Sequence, residues 1–295
     1  MNAIDQFLTA IESAGLTPPA TINDDGKLHR FSPTGKRGDD AGWYVLHLDG
    51  VPAGSFGDWR SGEAQNWCAK SDNDMSEAER QGMRERVKAA QRMRDAETTR
   101  RHGEAAVAAL ALWDAAAPAV AHPYLIAKGV KPHGIRADGH QLFVPMRDSA
   151  GKLHSLQTIA PDGGKRFLPG GRVRGCYYAI GKPSGRLIVC EGFATGATLH
   201  QATGDAVAVA FNAGNLLAVA VALHAKYPCL NIVVAADDDW KTPGNPGLTT
   251  AKQAAQAVGG KVAVPDFTDL QRGDKDTDYN DLQRLAGAVQ IGGEA

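Results

Sequence analysis

Short apolar runs alternate with helix-forming segments along the carboxy-terminal third of the chain, and this alternation constrains the fold more than any other feature. The apolar runs are RLIVC, AVAVAF, NIVVAA and KVAVP. The helix-forming segments between them are ATGATLHQAT, AGNLLAVAVALHAKY and GLTTAKQAAQAV. Because the runs are continuously apolar, they are typical of parallel strands covered on both faces. The pattern predicts an α/β domain over residues 187–295, with a parallel sheet and helices on both faces.

Acidic residues follow two of these predicted strands directly. Glu191 comes after RLIVC, whereas Asp237, Asp238 and Asp239 come after NIVVAA. Ligands of an open parallel sheet bind beyond the carboxyl ends of its strands. Side chains alternate along an extended chain, so we expect Asp237 and Asp239 to point to one side and Asp238 to the other.

Two interpretations of these carboxylates compete. A triple aspartate by itself is typical of a solvated turn. Carboxylates packed together at low dielectric repel one another, however, so acidic groups that share one edge of a sheet normally indicate a bound cation. Carboxylate oxygens suit a hard cation such as Mg²⁺, with Mn²⁺ as an alternative. The sequence therefore predicts a metal site held by Glu191, Asp237 and Asp239.

Three further regions precede this domain. Residues 1–70 combine a helix-like start with short β-like runs separated by glycines, which predicts a small α+β domain. Residues 71–121 are densely charged and rich in helix formers, and they predict a helical connector with a break near Gly103. Residues 122–186 alternate apolar and polar side chains around turn residues, which predicts a basic α+β subdomain.

Charge is distributed unevenly although the net charge is only -1. Residues 128–186 hold eleven Lys or Arg against three Asp or Glu, whereas residues 187–295 hold seven against twelve. A basic block beside an acidic one indicates a phosphate-binding surface next to a place where cations collect. A solvated basic hairpin without a ligand is the alternative. The basic side chains that we expect to bind nucleotides or a nucleic-acid backbone are Arg147, Lys165, Arg166, Arg172 and Arg174.

The remaining composition narrows the class of protein. No stretch is long and apolar enough to span a membrane, and residues 1–15 lack the layout of a signal peptide. The four cysteines are scattered and form no C-x-x-C pair, so no zinc site is expected. These features predict a cytoplasmic protein with reduced thiols.

The acidic motifs resemble those of the Toprim domain, which occurs in bacterial primases, topoisomerases and some nucleases. LIVCEGFATGATL resembles its glutamate motif, and VVAADDDWKTPGNPGLTTAKQAA resembles its D-x-D motif with the glycine and helix that follow. Upstream, HPYLIAKGV, LFVPMRDSAGKLHSLQTI and GGKRFLPGGRVRGCYYAIG are similar to the basic amino-terminal half of a primase catalytic core. In this order, the motifs are most similar to the Toprim DNA primases of phages and conjugative plasmids.

The resemblance implies a role for individual residues. The metal ligands that it implies are Glu191, Asp237 and Asp239. Glu191 would also act as a base near the attacking hydroxyl, and Lys165 and Arg166 would follow template or nucleotide phosphates. Asp278 and Asp281, in the closing motif DTDYNDL, would be outer metal ligands; a helix N-cap explains these two residues about equally well.

Two features of many primases do not occur in this sequence. It contains no Cys/His zinc module and no G-x-x-x-x-G-K-[ST] loop of a helicase. The resemblance to primases implies an enzyme that makes short oligoribonucleotides from NTPs on single-stranded DNA by Mg²⁺-dependent two-metal catalysis. Because the helicase loop is absent, a separate helicase or replication initiator would be its partner. No membrane partner is expected. Two alternatives stay open: a Toprim nuclease that cuts phosphodiesters, and a non-catalytic single-strand-binding or replication-accessory protein.

Overall fold

The chain divides into two compact units, Met1–Arg100 and Arg101–Ala295. A computed structural model describes residues 2–291, except for the side chain of Asp72. The last residues of the predicted carboxy-terminal domain, 292–295, lie outside the described residues. The sequence pattern placed boundaries near residues 70, 121 and 186, and that finer division remains a prediction.

The first unit contains a four-stranded antiparallel sheet and an amino-terminal helix. Helix α1 spans Ala3–Ser13, and the strands, in sheet order, are β1 His29–Phe31, β2 Gly42–His47, β3 Ala53–Asp58 and β4 Ala64–Cys68. Asn2 caps α1, because its side chain accepts a hydrogen bond from the Asp5 N–H at 2.8 Å. Phe7 and Ile11 lie one turn apart on α1 and pack with Tyr44 of the sheet. This sheet agrees with the β-containing start predicted from the sequence.

A single long helix, α2, spans Glu77–Ala115. It begins with a capping box: the Ser76 side chain accepts from the Glu79 N–H at 3.3 Å, and the Glu79 side chain accepts from the Ser76 N–H at 2.8 Å. The predicted break near Gly103 is wrong. The helix continues through this position because helix formers surround it and one glycine costs only about 1 kcal/mol.

An antiparallel sheet follows α2 in the second unit. Its strands, in sheet order, are β5 Ala117–Pro118, β6 Arg136–Ala137, β7 Leu142–Arg147, β8 Leu153–Ile159 and β9 Lys165–Phe167. Helix α3, Pro123–Lys128, lies between β5 and β6; it begins at its proline and ends at Gly129, whose φ is 63°. Strand β9 forms one edge of the sheet, and all its residues are exposed. The basic residues of β9 therefore lie at the surface of the second unit.

The carboxy-terminal sheet carries the α/β alternation, but it is mixed. Its order is β10 Tyr178–Ile180, β12 Ala206–Val209, β11 Arg186–Cys190, β13 Asn231–Ala235 and β14 Lys261–Ala263. Strands β11 to β14 are parallel to one another, as predicted, whereas β10 pairs antiparallel with β12. The prediction of an all-parallel sheet is wrong at this edge, because a three-residue strand carries too little periodicity to be recognised.

Helices cover both faces of this sheet. They are α4 Phe193–Thr203, α5 Leu216–Lys226, α6 Pro246–Ala257 and α7 Tyr279–Ala286. Neighbouring residues of β11 divide between two cores: Ile188 packs with α4 and α7, whereas Val189 packs with α5 and α6. Because α4 leads from β11 to β12 while α6 leads from β13 to β14, the chain runs in opposite directions on the two sides of the β11–β13 pair. Such a switch point is where ligands of open α/β sheets bind.

Candidate active site

Glu191 and Asp237 lie close together at this switch point: Glu191 follows β11 directly, and Asp237 follows β13 after one residue, Ala236. In the parallel pair β11–β13, Val189 lies opposite Val234, so the register places Glu191 level with Ala236. Neighbouring strands lie about 4.8 Å apart. One carboxylate oxygen of each residue, Glu191 Oε1 and Asp237 Oδ1, is buried without a hydrogen-bond partner. Among the described residues, the two oxygens therefore have no donor or cation in contact with them.

Burial and mutual repulsion raise the pKa of both carboxyl groups. Burial is the main cause for Glu191, to which the Asp239 and Asp278 carboxylates add, and its pKa rises to about 7. A hydrogen bond from the Ala213 N–H offsets only part of this rise. Burial, followed by the charges of Glu191 and Asp278, raises the pKa of Asp237 well above its ordinary value. Without a cation, the folded protein therefore carries more negative charge here than its surroundings neutralise.

The loop after β13 gives Asp238 and Asp239 different partners. The Asp238 carboxylate accepts hydrogen bonds from Arg272 Nη1 at 2.7 Å and from Asn245 Nδ2 at 2.6 Å. The Asp239 carboxylate accepts one from the Gly247 N–H at 3.0 Å. Asp238 is therefore committed to holding the loop in place, and its charge is neutralised by an arginine.

Asn245 and Gly247, to which the sequence analysis assigned no role, fix the conformation of this loop. Asn245 has a φ of 41° and accepts a hydrogen bond from the Asp239 N–H at 2.8 Å. A Cβ added at Gly247 would lie 2.4 Å from the Asp237 carbonyl oxygen, so this position requires glycine. The sequence signal was present: NPG after the triple aspartate is typical of a tight entry into a helix.

The arrangement of Glu191, Asp237 and Asp239 matches only part of what a site for a hard cation requires. Within residues 2–291, no group of three or more His, Cys, Asp or Glu side chains converges in a way that could hold a metal ion. Carboxylates repel one another in the absence of a cation, and Asp239 meets a backbone N–H instead. The donor chemistry nevertheless suits Mg²⁺, since Glu191 and Asp237 each keep a buried oxygen without a partner. Mg²⁺ binds one or two protein carboxylates and completes its shell with water or phosphate.

Asp278 and Asp281 form the capping box of α7. Asp278 accepts hydrogen bonds from the N–H groups of Asn280 at 2.7 Å and Asp281 at 2.9 Å. Its second oxygen accepts one from Thr195 Oγ1 at 3.0 Å, and Asp281 accepts one from the Thr277 N–H at 3.0 Å. A helix cap, the alternative weighed from the sequence, accounts for both residues. Their part as outer metal ligands remains a prediction.

Lys165 extends from the edge strand β9 toward the acidic centre. A Cβ added at Gly192 would lie 3.8 Å from Lys165 Nζ, and this atom lies 6.0 Å from the ring centre of Tyr124. Burial of the ammonium lowers the pKa of Lys165, and the charges of Asp278 and Asp237 oppose that shift. Although its strand is exposed, Lys165 therefore places its charged end near the carboxylates.

The other basic residues predicted to bind phosphates have different surroundings. Arg166 and Arg174 are exposed. Arg147 donates to a backbone carbonyl of its own turn at 3.0 Å, and its guanidinium lies 6.0 Å from the ring centre of Trp113. Arg172 donates to the carbonyl of Arg174 at 3.1 Å. Arg166 and Arg174 are thus accessible to a ligand, whereas Arg147 and Arg172 are held by their own turns.

Asn215 is a buried residue whose importance the sequence analysis missed. Its Nδ2 donates to the carbonyls of Cys176 at 2.9 Å and Ala210 at 2.8 Å. Its Oδ1 accepts from the Gly175 N–H at 2.8 Å. Asn215 therefore joins the loop that carries Arg174 to the carboxyl end of β12. The available signal was a polar FNAGN segment between two apolar elements.

Comparison with known proteins places this geometry in context. Residues 186–288 match the family model of the Toprim domain. DNA primase TraC of Escherichia coli is 39% identical over 283 residues, which are 89% of this chain. A second Escherichia coli DNA primase TraC is 35% identical over 291 residues, or 90% of this chain. The primase fragment of the bacteriophage T7 primase-helicase protein superimposes with a TM-score of 0.40 at 16% identity, over 54% of this chain and 67% of that chain.

The similarity to the two TraC proteins extends through most of the chain, but this chain spans only 26% and 20% of their lengths. The Toprim match covers the four parallel strands β11 to β14 of the carboxy-terminal sheet and the loops that carry Glu191 and Asp237. The resemblance noted from the sequence motifs is confirmed: the chain is homologous to DNA primase TraC, and its residues 186–288 match the Toprim domain.

Proposed function

We propose that this chain is the catalytic part of a DNA primase, a nucleotidyltransferase that makes short oligoribonucleotides from NTPs on single-stranded DNA in phage or plasmid replication. The observation that carries the proposal is its 39% identity to DNA primase TraC over 89% of the chain. Residues 122–186, which include strands β6 to β9 of the antiparallel sheet, would form the basic amino-terminal half of the primase core. The proposal includes a Rossmann-like organisation of the Toprim sheet around the β11–β13 switch point.

In this proposal, Glu191, Asp237 and Asp239 hold Mg²⁺. Two of them contribute the buried oxygens that lack a partner, and Asp239 lies close enough to raise the pKa of Glu191. A bound Mg²⁺ supplies positive charge that stabilises the transferring phosphoryl group and makes the attacking hydroxyl more acidic. Asp278 and Asp281 would act as outer ligands in addition to capping α7.

The protein side chains have complementary tasks. Glu191, beside the position proposed for the 3′-hydroxyl of the growing primer, would accept the proton of that hydroxyl. Lys165 would place its ammonium on the nucleotide triphosphate beside the carboxylates. Arg166 and Arg174 would bind the template backbone, since exposed cations provide most of the affinity for a nucleic-acid strand. Arg147 and Arg172 would support that surface from their turns.

The proposed partners are single-stranded DNA, NTPs and a separate helicase or replication initiator. The basic block at residues 128–186 supports the first two, because eleven cations stand there against three acidic residues. In the part of the chain that the structure describes, no helix is both long and apolar enough to cross a bilayer.

Primer synthesis by the purified chain tests the proposal. With single-stranded DNA, labelled NTPs and Mg²⁺, we expect template-dependent oligoribonucleotides. The substitution Asp237→Asn removes the charge of the buried carboxylate at nearly constant volume, so synthesis should fall by at least about 100-fold, the smaller loss typical of removing one electrostatic catalytic group. Asp266→Asn, which changes an exposed aspartate of the same unit, is the matched control and should keep full activity.

Each alternative has its own result in the same assay. Degraded template without new oligoribonucleotides would identify a nuclease that uses water in place of the 3′-hydroxyl. Tight strand binding with neither product, unchanged in Asp237→Asn, would identify a non-catalytic binding protein. Either result would overturn the primase proposal.

A further inference from the structure

Trp240 is an exposed aromatic residue beside the acidic centre. It follows Asp239 directly, and 42% of its surface is accessible. Its backbone N–H donates to the Asp238 carbonyl at 2.7 Å, so the residue belongs to the fixed turn after β13. Three residues of chain separate it from Asp237, a distance of at most about 11 Å between their Cα atoms. Trp240 therefore lies on the loop that carries Asp237 and Asp239, with its Cα atom no more than about 11 Å from that of Asp237.

A fixed cation supports this indole. The Arg272 guanidinium lies 4.9 Å from the ring centre of Trp240 and 4.2 Å from that of Phe267. The same guanidinium donates to the Asp238 carboxylate and the Asp238 carbonyl, each at 2.7 Å, and its Nε donates to the Asp276 carbonyl at 2.7 Å. Because these contacts immobilise Arg272, the position of Trp240 is set before any ligand arrives.

A second cation near the indole is weakly held. Lys241 Nζ lies 4.2 Å from the ring centre of Trp240 and 3.4 Å from a carboxylate oxygen of Asp274. Both side chains of this ion pair are mostly exposed, and such pairs contribute little to stability. Lys241 can therefore exchange Asp274 for a phosphate without a large loss of stability.

We propose that Trp240 and Lys241 form a nucleotide subsite at the edge of the acidic centre. The indole stacks on a nucleobase, and the Lys241 ammonium binds the phosphate of the same nucleotide. This inference rests on the proposed primase function and adds a binding site to it. Stacking on an aromatic side chain changes affinity by about 5- to 150-fold per base and tolerates every base, which suits a site that must accept any sequence.

The stacked nucleotide can belong to the template strand or to the incoming NTP, and two measurements distinguish these sources. Fluorescence anisotropy with oligonucleotides that carry one abasic site at successive positions tests the template. The KM for NTPs in primer synthesis tests the nucleotide. Both are measured for the full chain, Trp240→Ala and Trp240→Phe, with Val221→Ala as control because Val221 is an equally exposed apolar residue on α5.

For a template base, we expect Trp240→Ala to weaken binding of the intact oligonucleotide by at least about 5-fold. One abasic position should weaken wild-type binding and leave Trp240→Ala unaffected. For an NTP base, the KM should rise by a similar factor while kcat is kept. Trp240→Phe should be intermediate in either case, and Val221→Ala should match the wild type.

Wild-type values for Trp240→Ala in both measurements would overturn the subsite. A wild type that makes no primers would overturn the primase proposal instead, and the abasic series would still decide whether Trp240 stacks on a strand. Thermal melting of each variant, followed by circular dichroism, separates loss of binding from loss of folding. For a template nucleotide, Lys241→Gln should weaken strand binding and reduce its salt dependence; for an NTP, it should raise the KM for NTPs. Wild-type values for Lys241→Gln in both measurements would remove the phosphate contact from the subsite.

Discussion

Glu191 destabilises the cation-free protein when its carboxyl group ionises. Its pKa is raised from 4.5 to about 7, first by burial and then by the charge of Asp239. Between these two values, the folded protein binds more protons at this group than the unfolded chain does. The free energy of unfolding contributed by Glu191 therefore falls as pH rises from 4.5 to about 7, and it stays low above that range.

Replacing Glu191 by glutamine should remove this dependence. In EDTA, we expect Glu191→Gln to gain stability relative to the wild type between pH 4.5 and 7, by on the order of 3 kcal/mol at the upper end. Urea unfolding at a series of pH values measures the difference. Groups that do not interact with Glu191 cancel, whereas Asp237, whose pKa the charge of Glu191 raises, adds to the difference in the same direction. Asp266→Asn should follow the wild type through the same range. Equal stability of wild type and Glu191→Gln at pH 5 and pH 7 would contradict the prediction.

The loop between β13 and α6 places the carboxylates by close backbone contact. Gly247 donates to Asp239 and leaves no space for a Cβ beside the Asp237 carbonyl. We expect Gly247→Ala to push loop and helix apart, lowering the free energy of unfolding by about 1–3 kcal/mol. Primer synthesis should fall more steeply than stability, because Asp237 itself is displaced. Urea unfolding and the primer assay on one preparation measure the two effects, and a fully active Gly247→Ala would show that the loop tolerates the shift.

The same change in α2 should have the opposite effect on stability. Gly103 is exposed, and a Cβ added there meets no heavy atom within 4 Å. Gly103→Ala should raise the free energy of unfolding by about 0.5–1 kcal/mol, because alanine loses less backbone entropy in a helix. Primer synthesis should stay at the wild-type level. A destabilised Gly103→Ala would contradict the continuous helix.

Elements with a local signal could be predicted from the sequence, whereas long-range pairings could not. The predicted strand RLIVC coincides with the observed strand Arg186–Cys190. A buried parallel strand can be recognised in a sequence because its residues are continuously apolar. Glu191 and Asp237 could be placed at one sheet edge for the same reason. Arg272 pairs with Asp238 across 34 residues, and no spacing rule connects such positions. The antiparallel β10 likewise depends on β12, a partner that its own three residues do not specify.

Charge is segregated within the second unit, and this should govern how the protein binds a strand. The basic residues lie in 128–186, whereas 187–295 is acidic around the carboxylate centre. Affinity for single-stranded DNA should therefore fall steeply with salt, because each phosphate contact contributes about 0.7 to the slope of log affinity against log salt.

Two exposed arginines allow a direct test of this dependence. Arg166→Gln and Arg174→Gln should each reduce the slope by about 0.7 while leaving the melting temperature unchanged. Anisotropy titrations at several KCl concentrations measure the slope. Lys252→Gln, which removes an exposed cation from α6, should keep the wild-type slope. Slopes that do not differ among the three variants would place the strand elsewhere.

Two contacts of Asp238 can form only after a later part of the chain has been synthesised. Its N–H donates to the Thr277 carbonyl at 2.8 Å, and its carboxylate pairs with Arg272. The ribosome adds these partners about 2–8 s after Asp238, at ordinary rates of translation. A nascent chain that ends before Arg272 can contain every strand of the carboxy-terminal sheet and the contacts of Asn245 and Gly247, but it lacks the ion pair of Asp238 with Arg272 and the hydrogen bond to Thr277. Such a chain also lacks α7, whose Tyr279 and Leu282 pack against one face of the sheet, so early termination of translation leaves both the loop of Asp238 and this core incomplete.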